Sequence, residues 1–334
     1  MTRTALSQLG EFGWLHKLIP RLYWPSSLNS QLCIGPGDDA GVLRITRNKV
    51  LVATTDTLAE GVHFERRWLR PRDLGKKLLA VNLSDLAAMG NVKPLAALIT
   101  VSLPGDTAVE TVDKFYEGLR SCAQRWKIGF LGGDTIGSRR DWVVSATVLG
   151  EADPRHIVRR SGARKGDFIG VVGPLGMAAA GLEVLKGNLE RLAWVSPLVT
   201  AFSTPEPQVF AGEYLGKNGW ATSMIDVSDG LEASIRLLAD ASHLGAHVDL
   251  DALPVSAALK RWAQRQNKDP LGYVLRGGED YALVFTASPK LWPRVQRALP
   301  AAKRIGLMTT RKAGCWAVQG RRRISLNSYG YSHF

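Results

Sequence analysis

The sequence predicts an α/β or α+β fold in two domains, residues 1–152 and 153–334, and three observations point there. The chain has 334 residues, enough for two ordinary domains with their own cores. Stretches of strand-like and helix-like apolar pattern alternate along the first half. Around residues 151–167 the composition turns to EADPRHIVRRSGARKGD, rich in Pro, Gly and charge and poor in apolar periodicity. Such a segment marks a domain boundary.

The elements follow in order. AGVLRI reads as a strand, and residues 50–57, ending in TTDT, as a second that closes in a polar turn. Residues 73–89 carry helical periodicity with Leu74, Leu78, Val81 and Leu86 as the apolar stripe. Within that helix Asn82 and Asp85 are three apart and share a face. A strand over 95–103 is ended by Pro104 and Gly105, and a helix over 109–126 buries Val112, Phe115, Leu119 and Cys122. Strands at 128–131 and 142–149 flank a GGDT turn. The second half opens with a strand at 168–172, then a Gly-rich turn and a helix in GPLGMAAAGLEVL. Later, MIDVS runs into SDGLEASIRLLADASHLG as strand, turn and helix, with Ser228 as the expected N-cap. GGED forms an acidic turn before the strand YALVFT.

Composition excludes several classes. With 45% hydrophobic and 22% charged residues the chain is a globular protein. No apolar run reaches membrane-spanning length, since the longest candidate, 168–182, is broken by glycines and Pro174. The N-terminus lacks a secretory apolar core, with Glu11 and His16 interrupting it. Cys33, Cys122 and Cys315 lie far apart with no CxxC pair, which favours a reducing, cytoplasmic compartment and no zinc site. The net charge of +13 is spread over clusters at 66–72, 155–165 and 321–323. Without a nucleic-acid motif, this reads as a solvated face that attracts anionic substrates rather than as a nucleic-acid interface.

Against that basic background stand six acidic motifs set among small residues: GPGDDAG (35–41), TTDT (54–57), NLSD (82–85), GGDT (132–135), IDVSDG (225–230) and GGED (277–280). GPGDDA formally fits GxGxxA, but a strand follows it where a dinucleotide fingerprint requires a helix. Singly, GPGDDAG is as consistent with an Asp-Gly turn as with a metal site, TTDT with a plain strand end, and GGDT and SDG with turns or caps. NLSD is more telling, because Ser84 and Asp85 cost helix propensity and a buried Asp needs a partner. Taken singly, His63, Arg160 and Tyr331 read as ordinary surface or packing residues. Six carboxylate motifs together point to oxygen ligation of Mg²⁺, which binds through one or two carboxylates plus substrate phosphates. The reading is a metal-dependent enzyme acting on phosphate, and with neither P-loop nor kinase catalytic loop present, any ATP use requires another fold.

In order, GPGDDAG, TTDTLAEGVHF, NLSDLAAMG, GGDT, RSGARKGD, IDVSDGL, GGEDYALVF and GYSHF resemble the thiamine-monophosphate kinases across nearly the whole chain. The wider superfamily is the aminoimidazole-ribotide synthetase-like ATP users. The resemblance implies an N-terminal domain (1–152) that binds ATP and Mg²⁺ and dimerises through its sheet. A C-terminal α/β domain (153–334) would complete the cleft. It implies transfer of the γ-phosphoryl of ATP to thiamine monophosphate, directly and in line, with several Mg²⁺ ions. By motif, Asp38, Thr54, Thr55, Asp56, Asp85, Asp134, Asp226 and Asp229 would hold metal. Gly133, Asp134, Arg160 and Ser228 would contact ATP, and His63, Glu279 and Tyr331 the thiamine phosphate. Asp56, Asp85, Asp134 and Arg160 would carry catalysis. The alternative is a sibling ATP-dependent enzyme acting on another phosphate or amide. Three positions depart from the family pattern: Ser332 in GYSHF, Ala282 in GGEDYAL, and the GPGDDAG opening.

Overall fold

The computed structural model describes residues 30–35 and 38–331. The readings that rest on residues 1–29, on Pro36 and Gly37, and on Ser332 fall outside them. The first half forms a six-stranded sheet from β1 (Leu32–Ile34), β2 (Gly41–Thr46), β3 (Lys49–Ala59), β4 (Lys93–Pro104), β5 (Gly129–Ser138) and β6 (Val143–Ala152). Their order is β1-β2-β3-β6-β4-β5, antiparallel except for the parallel β4–β5 edge pair. Helices α1 (Pro71–Ala88) and α2 (Val109–Trp126) cover one face.

The second half forms a seven-stranded sheet from β7 (Phe168–Val172), β8 (Ser223–Asp226), β9 (Leu244–Asp249), β10 (Leu283–Ala287), β11 (Lys303–Thr310), β12 (Cys315–Gln319) and β13 (Arg322–Ser325). Their order is β13-β12-β9-β11-β7-β10-β8. Helices α3 (Met177–Lys186), α4 (Ser196–Ser203), α5 (Val209–Lys217), α6 (Leu231–Ala241), α7 (Ala257–Arg265), α8 (Pro270–Arg276) and α9 (Trp292–Ala298) complete it. Each half has its own core, one around Val50, Leu78, Phe115 and Trp142, the other around Ile169, Ile225, Val248 and Trp262.

Helix α1 joins the halves. Pro71 presets its first turn, and its expected stripe is buried, but so is nearly everything else on it, including Lys77, Asn82 and Ser84. The reason is that α1 packs on α2 and β3 on one side and on α4, α5, β8 and β10 on the other. A helix buried all round shows little amphipathicity. Its close approach to α2 requires glycine, since a Cβ on Gly118 would lie 1.9 Å from the Arg72 carbonyl oxygen. On α2, Phe115 and Leu119 are buried as expected, whereas Val112 and Cys122 are only half-buried.

Two local expectations are corrected. GGDT is no turn: residues 132–135 run mid-strand in β5, because parallel pairing with β4 supplies the backbone partners that a turn would have replaced. Ser228 is not the N-cap of α6. Gly230, at φ 102°, holds that position, and the Ser228 hydroxyl donates instead to Asp229 Oδ2 at 3.2 Å.

Candidate active site

Strand alternation sorts the TTDT motif. Val50, Val52, Thr54, Asp56 and Leu58 face the helices, so Thr54 and Asp56 approach α1. The Thr54 hydroxyl donates to Asp85 Oδ2 at 2.5 Å. One residue before Asp85, Ser84 donates to Asp226 Oδ2 at 2.7 Å, across to the end of β8. Carboxylate oxygens of Asp39, Asp85 and Asp226 thereby lie within 4.8 Å of one another. Arg160, on the loop between β6 and β7, grips Asp39 with two guanidinium bonds of 2.9 and 3.1 Å, while its backbone N–H donates to Asp38. This is the fork geometry that arginine offers a carboxylate.

The electrostatics of the cluster are those of crowded like charges. Burial, with Asp39 beside it, pushes Asp226 up to about 8. Burial and the neighbouring Asp56, Asp226 and Asp39 push Asp85 well above the carboxylate range. Asp56 rises to about 6 through burial and Asp229. Burial opposes the charge on Arg160, but Asp39 outweighs it and raises its pKa further. Three oxygen-only ligands, two buried and one half-buried, that repel one another fit a hard divalent cation, which would relieve the repulsion that a single arginine leaves.

Beside the cluster lies a cavity of about 670 Å³ whose walls include Asp56, His63, Trp68, Asp229, Glu279 and Tyr331. His63 Nδ1 accepts the Ala59 N–H. Glu279 sits in the loop after α8 at φ 65°, with Tyr281 at φ 49°, two left-handed residues of the kind that store strain at sites. The loop is pinned on three sides. Glu279 N donates to Ser228 O, Tyr281 N donates to Val227 O, and Asp280 accepts the N–H groups of Gly176 and Ala178 where α3 begins. SDG and GGED, some fifty residues apart, therefore form one structure.

The structure brings Asp56, Asp85 and Asp226 together, and Asp229 borders them. Two of the sequence-derived ligands lie elsewhere. Alternation puts the Thr55 hydroxyl on the opposite sheet face, where it donates to Ala146 O and accepts from Thr147. Asp134 lies on exposed edge strand β5, in register with Thr100, and accepts its neighbour's N–H. Gly133 lies beside it, so close to β4 that a Cβ would stand 1.7 Å from Ile99 O. Asp38 holds the Arg160 backbone, and its neighbour Asp39 supplies the carboxylate to the cluster; the GDD pair gave the signal but not the choice. Lys77, which no sequence motif singles out, donates from within α1 to Glu279 at 2.9 Å. Ala282 is fully buried in the second core.

Comparisons with known proteins agree with this architecture. Residues 37–152 match the AIR synthase related protein N-terminal domain, and residues 164–314 the AIR synthase related protein C-terminal domain. The chain is 36% identical to the thiamine-monophosphate kinase of Mycobacterium tuberculosis H37Rv over 90% of its length and 88% of the relative's. It is 34% identical to that of Escherichia coli K12, covering 97% and 98%. The solved structure of AaThiL complexed with AMPPCP and TMP superposes over the whole of both chains with TM-score 0.87 at 32% identity. Hydrogenase maturation protein HypE in complex with ATP, at 16% identity and TM-score 0.69, is similar in fold over 94% of both chains.

Proposed function

The chain belongs to the thiamine-monophosphate kinases among the AIR synthase related proteins, and we propose that the carboxylate cluster and its adjoining cavity carry out the phosphorylation with Mg²⁺ as the metal. The protein uses ATP to convert thiamine monophosphate to thiamine diphosphate. One observation carries the siting of that reaction. Three converging carboxylates, two of them buried, open beside a cavity that has both aromatic and acidic walls.

Asp39, Asp85 and Asp226 would hold Mg²⁺, with Asp56 and Asp229 as further ligands toward the cavity. Bound Mg²⁺ would neutralise the facing phosphates and stabilise the charge of the transferring group. Thr54 and Ser84 fix Asp85 and Asp226 in rotation by donating to them. Arg160, held by Asp39, presents a planar cation at the same place for phosphate oxygens. The acceptor phosphate is already ionised near neutral pH, so the chain needs no strong general base, and transfer is direct and in line. Tyr331, His63 and Glu279 contact the thiamine, the flat ring of Tyr331 and the carboxylate of Glu279 suiting a cationic heteroaromatic. Ser228, Gly133 and Asp134 stand as nucleotide contacts, the last two outside the carboxylate cluster.

The same reading includes a homodimer through the first sheet. Supporting it, Leu98, Phe130, Leu131 and Ile136 leave a largely exposed apolar strip along β4 and β5. Among the described residues no helix is long and apolar enough to cross a membrane, and the three free cysteines suit the cytoplasm.

The test is incubation with ATP, Mg²⁺ and thiamine monophosphate, with thiamine diphosphate quantified directly beside a metal-free control. Metal-dependent thiamine diphosphate is the expected product. ADP formed without it would refute the acceptor.

A further inference from the structure

We infer that Lys77 is the positioning residue for Glu279, holding one oxygen of that carboxylate so that the side chain stays in the wall of the cavity proposed for thiamine. The inference rests on the function proposed above and extends it to a residue outside the phosphate chemistry. Lys77 lies inside α1 with its side chain completely buried, and its Nζ donates to Glu279 Oε2 at 2.9 Å. The ammonium also stands 3.7 Å from the centre of the Phe202 ring on α4. Burial depresses its pKa, against which Glu279 pulls upward. A lysine so placed is costly, and breaking a buried pair leaves a charge uncompensated.

Glu279 is the group that this cost serves. Its backbone is left-handed, its Oε1 is buried without a hydrogen-bond partner among the described residues, and the residue lines the cavity. With Oε2 committed to Lys77 and Oε1 enclosed, the carboxylate offers the cavity a fixed negative charge, matched to a cationic ring. Phe202 and Trp68, which pack together, line the same cavity and limit where such a ring lies. Lys77 touches the substrate only through Glu279, so its loss acts on thiamine binding and leaves the ATP side alone.

The experiment is a double-mutant cycle on the full chain with Lys77→Met, Glu279→Gln and the pair, read as KM for thiamine monophosphate, KM for ATP and kcat. Lys77→Met is expected to raise KM for thiamine monophosphate about tenfold or more with KM for ATP unchanged. In the Glu279→Gln background the same change is expected to add less than about twofold, because the group it positions is gone. Equal effects in both backgrounds, an unchanged thiamine monophosphate KM, or a parallel rise in KM for ATP would overturn the assignment. If Lys77→Met fails to fold, the neutral pair compared with Glu279→Gln decides. Equal KM values support the inference, and a further large rise refutes it. Thiamine diphosphate formation by the wild type in the same assay separates this outcome from failure of the proposed function. Without that product the function falls, and Lys77 as its positioning residue falls with it.

Discussion

Replacing Asp226 with asparagine removes one charge from the carboxylate triad while keeping its shape, including an acceptor for the Ser84 hydroxyl. Asp226 titrates at 3.8 when unfolded and at about 8 in the folded chain, so the folded state binds this proton more tightly. Its contribution to stability is therefore whole below pH 3.8 and is lost as pH rises through about 8. A displacement of that size is worth about 6 kcal/mol at 1.36 kcal/mol per unit. Burial is the first cause and repulsion from Asp39 the second, and the titrations are coupled, so one amide returns roughly half, about 3 kcal/mol. Coulomb's law agrees: charges under 4.8 Å apart cost about 3.5 kcal/mol per pair at an effective dielectric of about 20. In chelator at pH 8, Asp226→Asn should melt roughly 4 °C above wild type. The gain should vanish toward pH 4, while turnover with Mg²⁺ falls about 10²-fold or more. Added Mg²⁺ should raise the wild-type melting temperature more than the variant's. Thermal melts across pH, with and without Mg²⁺, check each statement. A variant no more stable than wild type at pH 8, or a gain that persists unchanged at pH 4, would refute the picture of mutual repulsion.

Two further perturbations separate parts of the site. Thr54→Val deletes the donor to Asp85 and should lower kcat/KM about 10- to 100-fold, the worth of a hydrogen bond to a charged group. Thr55→Val, on the other sheet face, should change it by about twofold or less; equal losses in steady-state assays would show that both hydroxyls serve the metal. Asp280→Ala strips the acceptor from two buried N–H groups at the start of α3 and releases a loop with two left-handed residues. Urea unfolding should report a loss of about 2–4 kcal/mol, with KM for thiamine monophosphate rising because Glu279 is the adjoining residue.

Much of this was legible because local patterns sufficed. The helices at 71–88 and 109–126 follow from apolar spacing, and the carboxylate motifs stand out against a basic chain. The period-two rule, applied to TTDT, already separates Thr54 and Asp56 from Thr55. What stayed hidden depends on distant partners. A lysine between Gly75 and Leu78 reads as a solvated helix face until Glu279, 202 residues away, is placed against it. Asp38 and Asp39 are indistinguishable in sequence, and only Arg160, 121 residues on, decides which side chain joins the cluster. GGDT looks like a turn from its glycines and is a strand because β4 pairs with it.

The division of labour along α1 explains why these hidden contacts matter together. Lys77 and Ser84 are seven residues apart, just short of two helical turns, so they project on one side about 10 Å from each other. At one end Lys77 crosses to Glu279 and the cavity proposed for thiamine. At the other, Ser84 crosses to Asp226 and the carboxylate cluster. Both crossings run from the first half of the chain to the second, through a helix buried on nearly every side. A rigid rod with two such contacts fixes the spacing between the cavity proposed for thiamine and the carboxylate cluster proposed to neutralise phosphates. Phosphoryl transfer depends on that spacing more than on any acid or base. A shift of one half against the other would therefore strain both contacts at once, and on the proposed siting α1 would set the geometry of the reaction.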